Sequence, residues 1–535
     1  MSKLADSQAP HAATGPERWL ERTGAWILVP LVVAYLSLVV PSTLPQGINW
    51  DERVDLTIAE SYLDGPDGFI TGSTDDLTQT RLPMYSVALL ALATGSLTLG
   101  LARMVSVAVG VLTLLGVYVF CRICLDRSKA AVATAIVATS PYFLAFAGLA
   151  FTEGDVFIAC ATVWVLVAGS WFLRKRTAGA AALTGGALGL AVSSKFFGVA
   201  LIPAVLAVLW TSRPGQAPHR NGDPRPAAGG VFMLGVAAPL MAWRAVLSGN
   251  LASGVAHDLV RLGLVTALMA AFTVWVWPLR RESVSRTVAS FIVVTGSVLT
   301  FLLVPLVHTT NGRIIGRLLS TTSGSGISGP QVAEFAAFHA GVLLLKPGLL
   351  IGLGLLAGSV MALLDLHGRS ELRLPSAMAA AYFGFASLTP VAQTFYMMPV
   401  FPLLAILMAD WLVEVGRRRR RLSVALLAGC VLSVGWDLTA TYPNFALNGY
   451  QWTDARYLAG RATLGYRGIA QIRTDGIDEV LRWASQNIPG GDTVVGFIEG
   501  PHLVRSLEPD PKYRYVNGLV AGPGRDCRDL SCGDW

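Results

Sequence analysis

The chain has 535 residues, of which 53% are hydrophobic and only 14% are charged, and its mean hydropathy is +0.55. This is too apolar for a water-soluble protein of this length, so the composition predicts a polytopic membrane protein. The net charge of +7 does not indicate nucleic-acid binding. Many of the Lys and Arg residues fall in short loops between apolar segments, and no segment resembles a groove-reading or base-stacking module.

Apolar windows recur from Trp26 to about residue 440, each of about 17 to 25 residues and therefore long enough to cross a bilayer. We count roughly thirteen such windows. The first window, residues 25–40, follows Arg18 and Arg22 and is not followed by a small-residue cleavage site. This pattern is typical of an uncleaved anchor with a cytoplasmic amino terminus.

Basic residues fall on alternate loops when the sides are assigned from that start, as the positive-inside rule requires. The bases of the predicted inner loops are Arg122, Arg127 and Lys129; Arg174, Lys175 and Arg176; Arg213, Arg220 and Arg225; Arg280, Arg281 and Arg286; Arg369 and Arg373; and the run 417–421. The outer regions are then residues 44–103, residues 308–341 and the tail from about Trp436 to Trp535. We therefore predict a membrane domain over residues 1–440 and an extracytoplasmic domain over residues 441–535, in a multi-pass plasma (inner) membrane protein.

The first outer loop, residues 44–103, is rich in acids: Asp51, Glu52, Asp55, Glu60, Asp64, Asp67, Asp75 and Asp76. Within it, "PMYSVALLALATGSL" from Pro83 is apolar but short and ends in Gly and Ser. It is either a re-entrant or interface-lying helix or the start of a long spanning helix. We favour the first interpretation because only it keeps the basic loops on the predicted inner side of the membrane.

Three further segments lie on the same predicted side. "LAFTEGDVF" forms a short turn that carries Glu153 and Asp155, and the Gly- and Ser-rich stretch from His308 to His339 suggests a mobile loop. In the tail, "GIDEVLRWASQNIPGGDTVVGFIEG" indicates an amphipathic helix, a turn and a β-strand, which favours a small α/β domain.

Ionisable residues at helix ends are costly to desolvate and often mark a water-filled functional cavity. The predicted outer face gathers the acids Asp51, Glu52, Glu153 and Asp155 and the bases Arg81, Arg103, Lys195, Arg313, Arg317 and Lys346. Any one of them could be an interface anchor or a structural charge, but all share one side. The bases suit an anionic phosphate, and the acids suit proton abstraction from an attacking hydroxyl or amine.

The order of the motifs resembles the polyprenyl-phosphate-sugar-dependent glycosyltransferases of the GT-C fold, which include protein O-mannosyltransferases and the aminoarabinose transferases of lipid A. "NWDE" is similar to their first-loop acidic motif, which implies that Asp51 is the catalytic base with Glu52 beside it. "RLPMYS" resembles Lys-Pro-Pro-Leu-Tyr and places Arg81 at the lipid phosphate and Tyr85 in the substrate cavity. "FTEGD" matches the second acidic motif, so Glu153 or Asp155 would share that cavity.

The resemblance continues along nearly the whole chain. "SSKFFG" is similar to Thr-Lys-Gly, which assigns Lys195 to the phosphate, and "EFAAFHAGVLLLKPGLL" resembles a segment that ends in Lys-Thr-Pro and adds Lys346. "TFYMMPVFP" resembles Arg-Tyr-Leu-Leu-Pro-Val-Tyr-Pro, which places Tyr396 in the cavity with Arg313. Phe395 stands where the family has Arg, which puts a contact at that point in doubt. The resemblance implies an all-α GT-C fold of about thirteen helices with an extracytoplasmic tail, in agreement with the topology above.

The sequence gives weak signals for metals and disulfides. The histidines show no HExxH or paired spacing, and Cys121 with Cys124 lacks the further ligands of a zinc site. We therefore expect no cofactor and do not favour a divalent metal. The resemblance implies the same, because relatives with doubly acidic first loops work without a metal, whereas oligosaccharyltransferases need one. Cys527 and Cys532 lie in the outer tail, where a local disulfide could form.

These features predict an inverting hexosyl or pentosyl transferase that moves one sugar from a polyprenyl-phosphate carrier to a protein, lipid or glycan acceptor on the outer face. Asp51 would deprotonate the acceptor while Glu52 and Glu153 or Asp155 hold and polarise it. Two alternatives stay open: a glycan ligase or polymerase that uses diphosphate-linked donors, and a transporter or flippase for lipid-linked sugars. The transporter is expected to show repeat symmetry and charges near the bilayer midplane, which we do not find.

Overall fold

A computed structural model gives the fold of the chain. It describes residues 24–43, 82–148, 155–212, 255–303, 329–365, 369–388 and 394–441, the strand residues 493–496 and 514–517, and seven residues of the first loop: Glu52, Asp55, Leu56, Ala59, Glu60, Tyr62 and Leu63. The sequence-based predictions for Asp51, Arg81, Glu153, Arg313, Arg317, Cys527 and Cys532 lie outside these residues. The described part is dominated by apolar helices.

The helices are labelled here in chain order. They are α1 (Leu28–Thr43), α2 (Leu82–Thr94), α3 (Leu99–Cys124), α4 (Arg127–Thr139), α5 (Pro141–Ala147), α6 (Asp155–Lys175), α7 (Ala178–Ser194), α8 (Leu201–Thr211), α9 (Val255–Leu279), α10 (Arg286–Leu303), α11 (Gly329–Leu345), α12 (Leu349–Leu364), α13 (Arg373–Ser387), α14 (Val400–Arg418) and α15 (Arg420–Thr441). Short 3₁₀ turns cover Gly24–Ile27, Phe196–Ala200, Ser370–Leu372 and Thr394–Met397.

The length and composition of the helices fit a membrane protein. Two described helices, α3 and α6, are long and apolar enough to cross a bilayer, and two bent pairs raise the number to four if each pair counts as one span. The pairs are α4 with α5, bent by 61°, and Val332–Leu345 with α12, bent by 116°. Further apolar helices, such as Leu82–Thr94 and Ala178–Ser194, are shorter. The count of about thirteen crossings therefore stays a prediction.

Polar caps set several helix boundaries. The Thr98 side chain accepts a hydrogen bond from the backbone N–H of Leu101 at the start of α3, and Asp126 does the same for Lys129 at the start of α4. Such caps satisfy backbone donors that the first turn leaves without partners. At Gly95 the backbone has φ +77°, a conformation that favours glycine, and α2 ends there. The segment from Pro83 is therefore a separate helix and not the start of a continuous span.

Glycines allow α7 and α10 to pack closely. A Cβ atom added at Gly185 would lie 2.5 Å from the carbonyl oxygen of Val293, and one added at Gly189 would lie 2.6 Å from the carbonyl oxygen of Ser297. Both distances are shorter than any normal contact. The two backbones thus meet where side chains are absent, so these glycines serve close packing, as expected for helices in a membrane.

One end of the bundle carries a network of ion pairs. Lys129 of α4 lies 2.7 Å from Asp410 of α14, and Arg369 lies 2.5 Å from another oxygen of Asp410. Arg417 bridges Asp126 at 2.9 Å and Glu414 at 3.1 Å. These bases come from three of the loops that the charge pattern assigned to the inner side, and the network joins those loops at one end of the bundle.

A second group of inner-loop residues joins the ends of α6, α8 and α10. Arg176, with φ +51°, forms the tight turn between α6 and α7. Arg286 donates hydrogen bonds to the carbonyl oxygens of Trp210, at 3.0 Å, and Ser212. Burial and the neighbouring Arg286 guanidinium lower the pKa of Arg176.

Two predicted boundaries are wrong. The stretch from His308 to His339 is not loop throughout, because α11 begins at Gly329 and His339 lies well inside it. The first loop does not extend to Arg103, because the Thr98 cap starts α3 at Leu99 and leaves Arg103 in its second turn.

The tail contains two short parallel strands. β1 (Thr493–Gly496) falls in the segment for which the sequence predicts a strand, and it pairs with β2 (Arg514–Asn517). The predicted amphipathic helix lies outside the described residues. The α/β character of the tail domain therefore stays a prediction.

Candidate active site

A buried ion pair joins the predicted second acidic motif to the predicted phosphate-binding lysine. The ammonium of Lys195 donates a hydrogen bond to a carboxylate oxygen of Asp155 at 3.0 Å, and both side chains are buried. The helices α6 and α7 form a hairpin around the turn at Arg176. Asp155 begins α6 and Lys195 follows the end of α7, so residues about equally far from the turn meet.

The two helix ends suit the charges that they carry. The amino-terminal end of a helix stabilises an anion such as the Asp155 carboxylate, and the carboxyl-terminal end stabilises a cation such as the Lys195 ammonium. α6 has 21 residues, which corresponds to a rise of ~31 Å. The pair therefore lies at the end of the hairpin opposite the arginine-rich turn, a membrane thickness away from it.

Aromatic rings surround the Lys195 ammonium. Its nitrogen lies 4.5 Å from the ring centroid of Tyr396, 4.8 Å from that of Phe395 and 5.9 Å from that of Phe197. The rings of Phe197 and Tyr396 contact each other edge to face at 4.7 Å. We call Phe197, Phe395 and Tyr396 the aromatic cluster. Phe395, where the resemblance leads one to expect Arg, contributes a ring that attracts the Lys195 ammonium by a cation–π interaction.

A second buried ion pair holds the first acidic motif. Glu52 accepts two hydrogen bonds from the guanidinium of Arg103, at 2.8 Å from Nε and 2.7 Å from Nη2, and both side chains are about 1% exposed. This bidentate geometry is the strongest that a carboxylate and a guanidinium form. Glu52, which follows Asp51 in the sequence, is therefore fixed to α3.

Stacked tyrosines fix the same loop at another point. Tyr62 of the loop stacks on Tyr85 of α2, with ring centroids 4.3 Å apart and planes only 5° from parallel. α2 packs against both α3, which carries Arg103, and α7, which ends beside Lys195. Tyr85 thus belongs to the helix that connects the two ion pairs, which places the acidic loop and the lysine on the same side of the bundle.

Lys346 is buried at the sharp bend between α11 and α12, three residues before α12 begins. Gly348 follows with φ +96°, a conformation that permits this bend. Sequence reasoning selected Lys346 but missed three buried residues near Lys195: Phe197, His339 and Tyr382. Phe197 could have been selected because it stands in the motif "SSKFFG", two residues after Lys195. His339 and Tyr382 lie in apolar helices whose sequence pattern does not distinguish them.

No group of three His, Cys, Asp or Glu side chains within the described ranges could hold a metal ion. The described part of the site consists of two buried ion pairs, one of which lies beside the aromatic cluster. Such a site can bind an anion through a cation and can accept a proton at a carboxylate.

Comparison with known proteins gives a family match and a shared fold. Residues 80–243, which include Asp155 and Lys195, match the model of the dolichyl-phosphate-mannose-protein mannosyltransferase family. The structure of ArnT from Cupriavidus metallidurans bound to undecaprenyl phosphate is similar over 94% of this chain and 90% of that one, with a TM-score of 0.52 and 14% identity. A search of curated proteins finds no significant match.

Two further solved structures show weaker similarity to this chain. The apo structure of the same ArnT matches over 90% of this chain and 85% of its own, with 16% identity and a TM-score of 0.46. The Archaeoglobus fulgidus oligosaccharyltransferase in complex with Zn and sulfate matches over 87% of this chain with 15% identity and a TM-score of 0.47. The matched region covers only 56% of the length of that oligosaccharyltransferase.

The chain thus shares its helical fold with ArnT, and residues 80–243 match the mannosyltransferase family model. The fold is of the GT-C type, and the apolar helices are those of a membrane protein. The resemblance inferred from the motifs is thereby confirmed at the level of the fold, and the family match over residues 80–243 supports the enzyme class.

Proposed function

We propose that the protein is an inverting glycosyltransferase that moves one sugar from a polyprenyl-phosphate carrier to an acceptor hydroxyl or amine at the outer face of the membrane. The observation that carries this proposal is the buried Lys195–Asp155 pair, with its aromatic cluster, at the end of the bundle that also holds the acidic first loop. The structurally similar ArnT binds undecaprenyl phosphate, which supports a donor of this class.

The reaction is a single displacement at the anomeric carbon of the donor sugar. Asp51 takes the proton of the acceptor hydroxyl or amine as its oxygen or nitrogen attacks that carbon. The bond from the anomeric carbon to the phosphate oxygen breaks, and its electron pair leaves with the polyprenyl phosphate. Attack from the face opposite the leaving group inverts the configuration.

Lys195 and Arg81 neutralise the negative charge that develops on the departing phosphate. In the structure Lys195 pairs with Asp155, which orients the ammonium before the donor arrives. We therefore assign Asp155 to positioning Lys195 in preference to contacting the acceptor. Lys346, buried at the bend before α12, is the third basic residue proposed for the phosphate.

We propose for Glu52 a role different from the one the sequence suggested. Its carboxylate is buried and accepts both hydrogen bonds from Arg103, so it is engaged in holding the loop rather than in polarising the acceptor. We propose that the Glu52–Arg103 pair fixes the backbone that presents Asp51. Glu153 then becomes the acid of the second motif that shares the cavity with the acceptor.

The proposal includes an orientation. The amino terminus and the arginine-rich ends of the helices face the cytoplasm, because short cytoplasmic loops collect Lys and Arg. The ends that carry Asp155, Lys195 and Arg103 face outside with the tail domain. The acceptor, whether protein, lipid or glycan, would therefore be modified outside the cytoplasm of a plasma (inner) membrane.

The test incubates the purified protein with a panel of polyprenyl-monophosphate sugars and membrane extract and measures the release of free polyprenyl phosphate. We expect release by the wild type and none by Asp51→Asn, which keeps the size of the side chain but removes the base. The control is Asp365→Asn, an exposed acid that pairs with Arg369 at the opposite end of the bundle; it should act like the wild type.

The result also separates the proposal from its alternatives. Release from diphosphate-linked donors alone would indicate the ligase or polymerase. Movement of labelled lipid across reconstituted vesicles, without release that depends on Asp51, would replace the transferase with the transporter.

A further inference from the structure

His339 is a polar side chain whose burial is not compensated by any hydrogen bond within the described part of the chain. It lies on α11 and is fully buried, and among the described residues neither of its ring nitrogens has a hydrogen-bond partner. Buried polar groups without partners cost free energy and are rare in native proteins. Two such atoms on one imidazole therefore point to a partner that is not part of the described protein.

The imidazole faces the aromatic cluster around Lys195. Its ring centroid lies 6.4 Å from that of Tyr396, and the rings of Phe338 and Phe383 lie 5.6 Å and 6.4 Å away. Tyr396 is the ring closest to the Lys195 ammonium. His339 and the proposed phosphate-binding lysine are thus neighbours of the same tyrosine.

A second buried polar group lies near the same cluster. The hydroxyl of Tyr382 on α13 is buried and has no hydrogen-bond partner among the described residues. Its ring lies 6.2 Å from that of Phe197, which in turn contacts Tyr396. Two helices, α11 and α13, therefore each direct an unsatisfied polar side chain into the surroundings of the aromatic cluster.

The hydrogen-bond donors and acceptors of these two side chains indicate which kind of ligand they bind. A neutral imidazole offers one donor and one acceptor, and a tyrosine hydroxyl can do both, which matches the hydroxyl groups of a sugar. A phosphate oxygen only accepts hydrogen bonds and is bound more strongly by cations such as Lys195. The pyranose or furanose ring of a donor is bonded directly to the phosphate, so it must lie next to the lysine.

We propose that His339 and Tyr382 form the subsite for the donor sugar and bind its hydroxyl groups by hydrogen bonds, with Tyr396 against one face of the sugar ring. This inference rests on the proposed function, because it takes the phosphate site to be at Lys195. It assigns sugar recognition to α11 and α13 and leaves the lipid phosphate to the basic residues.

The experiment compares His339→Phe, which keeps an aromatic ring and removes both nitrogens, with His339→Gln, which keeps a donor and an acceptor. Tyr382→Phe removes the second group. Thr134→Val is the matched control, since the hydroxyl of Thr134 on α4 is also buried and lacks a partner within the described part of the chain. For each variant we measure kcat and KM with a lipid-linked sugar, the affinity for sugar-free undecaprenyl phosphate, and thermal unfolding without ligand.

We expect His339→Phe to lower kcat/KM by about ten-fold, the effect of losing one good hydrogen bond, and to leave the affinity for sugar-free lipid unchanged. His339→Gln should recover part of the loss, and Tyr382→Phe should cause a smaller one. The midpoint of unfolding should stay or rise in His339→Phe, because an unsatisfied group has been removed. A purely structural histidine would instead lower the midpoint and leave KM unchanged.

Three results would overturn the inference: an unchanged kcat/KM in His339→Phe, an equal loss of affinity for sugar-free lipid, or an equal loss in Thr134→Val. If the wild type turns over no donor, the proposed function fails and the subsite is judged by binding. A lipid-linked sugar that binds more tightly than sugar-free lipid, with the advantage lost in His339→Phe, would still support the subsite; no such advantage would refute it.

Discussion

Arg103→Met should destabilise the protein strongly. The substitution keeps a long side chain in α3 but removes the partner of Glu52, whose carboxylate is about 1% exposed and accepts both hydrogen bonds from the guanidinium. Removing one member of a buried ion pair leaves an uncompensated charge and costs about 3–5 kcal/mol. Because total stability is commonly about 5–15 kcal/mol, we expect a large downward shift of the unfolding midpoint in detergent.

The double variant Glu52→Gln with Arg103→Met provides the control. It removes both charges, and replacing a buried pair by uncharged groups is often close to neutral. We therefore expect most of the lost stability to return. The coupling between the two substitutions should be several times that of an exposed ion pair, which contributes about 0–1 kcal/mol.

Activity should not return with stability. The pair fixes the loop beside Asp51, and a displacement of a catalytic group by about 1 Å can cost about 100-fold in rate. The double variant should therefore fold well and release polyprenyl phosphate slowly. A single variant as stable as the wild type, or a double variant with full activity, would refute the role that we give to this pair.

The remaining predictions concern the phosphate site, helix packing and the opposite end of the bundle. Lys195→Met should weaken binding of undecaprenyl phosphate by about 10- to 100-fold through loss of a charge-assisted hydrogen bond, and unchanged affinity in a binding titration would exclude Lys195 from the phosphate site. Gly185→Val should lower the free energy of unfolding by at least about 1–3 kcal/mol, because its Cβ would lie 2.5 Å from a carbonyl oxygen of α10. The control is Gly384→Ala, which should have little effect on thermal unfolding because no atom lies within 4 Å of the added Cβ. Asp410→Asn should lower the unfolding midpoint by breaking contacts to two bases while KM for the donor stays the same; a raised KM would show that the two ends of the bundle are coupled.

Several features of the fold could be read from residue types alone. Thr98 and Asp126 mark helix starts because a short polar side chain can satisfy backbone donors within the next turn. Gly95 marks a helix end because it adopts a positive φ without strain. These effects act over a few residues, so local sequence is sufficient to predict them.

The pairing of the site residues could not be read in the same way. Glu52 was selected for its position beside Asp51, yet its partner Arg103 lies on a helix 51 residues further along the chain. Asp155 and Lys195 were both selected, but as separate contacts to substrate and not as partners of each other. Which charge meets which depends on the turn at Arg176 and on the packing of α2, α3 and α7, and neither leaves a periodic signal.

The sequence by itself predicted that the protein belongs in a membrane and that the acids of the candidate site lie on the side opposite its basic loops, because hydropathy and charge act residue by residue on transfer into a bilayer. It also indicated the enzyme class through the order of short motifs. Only the tertiary structure decided that Glu52 pairs with Arg103, that Asp155 pairs with Lys195, and that His339 is buried with no hydrogen-bond partner among the described residues. Those facts follow from packing between helices distant in sequence, where the cost of an unsatisfied or unpaired group is set by its neighbours in space.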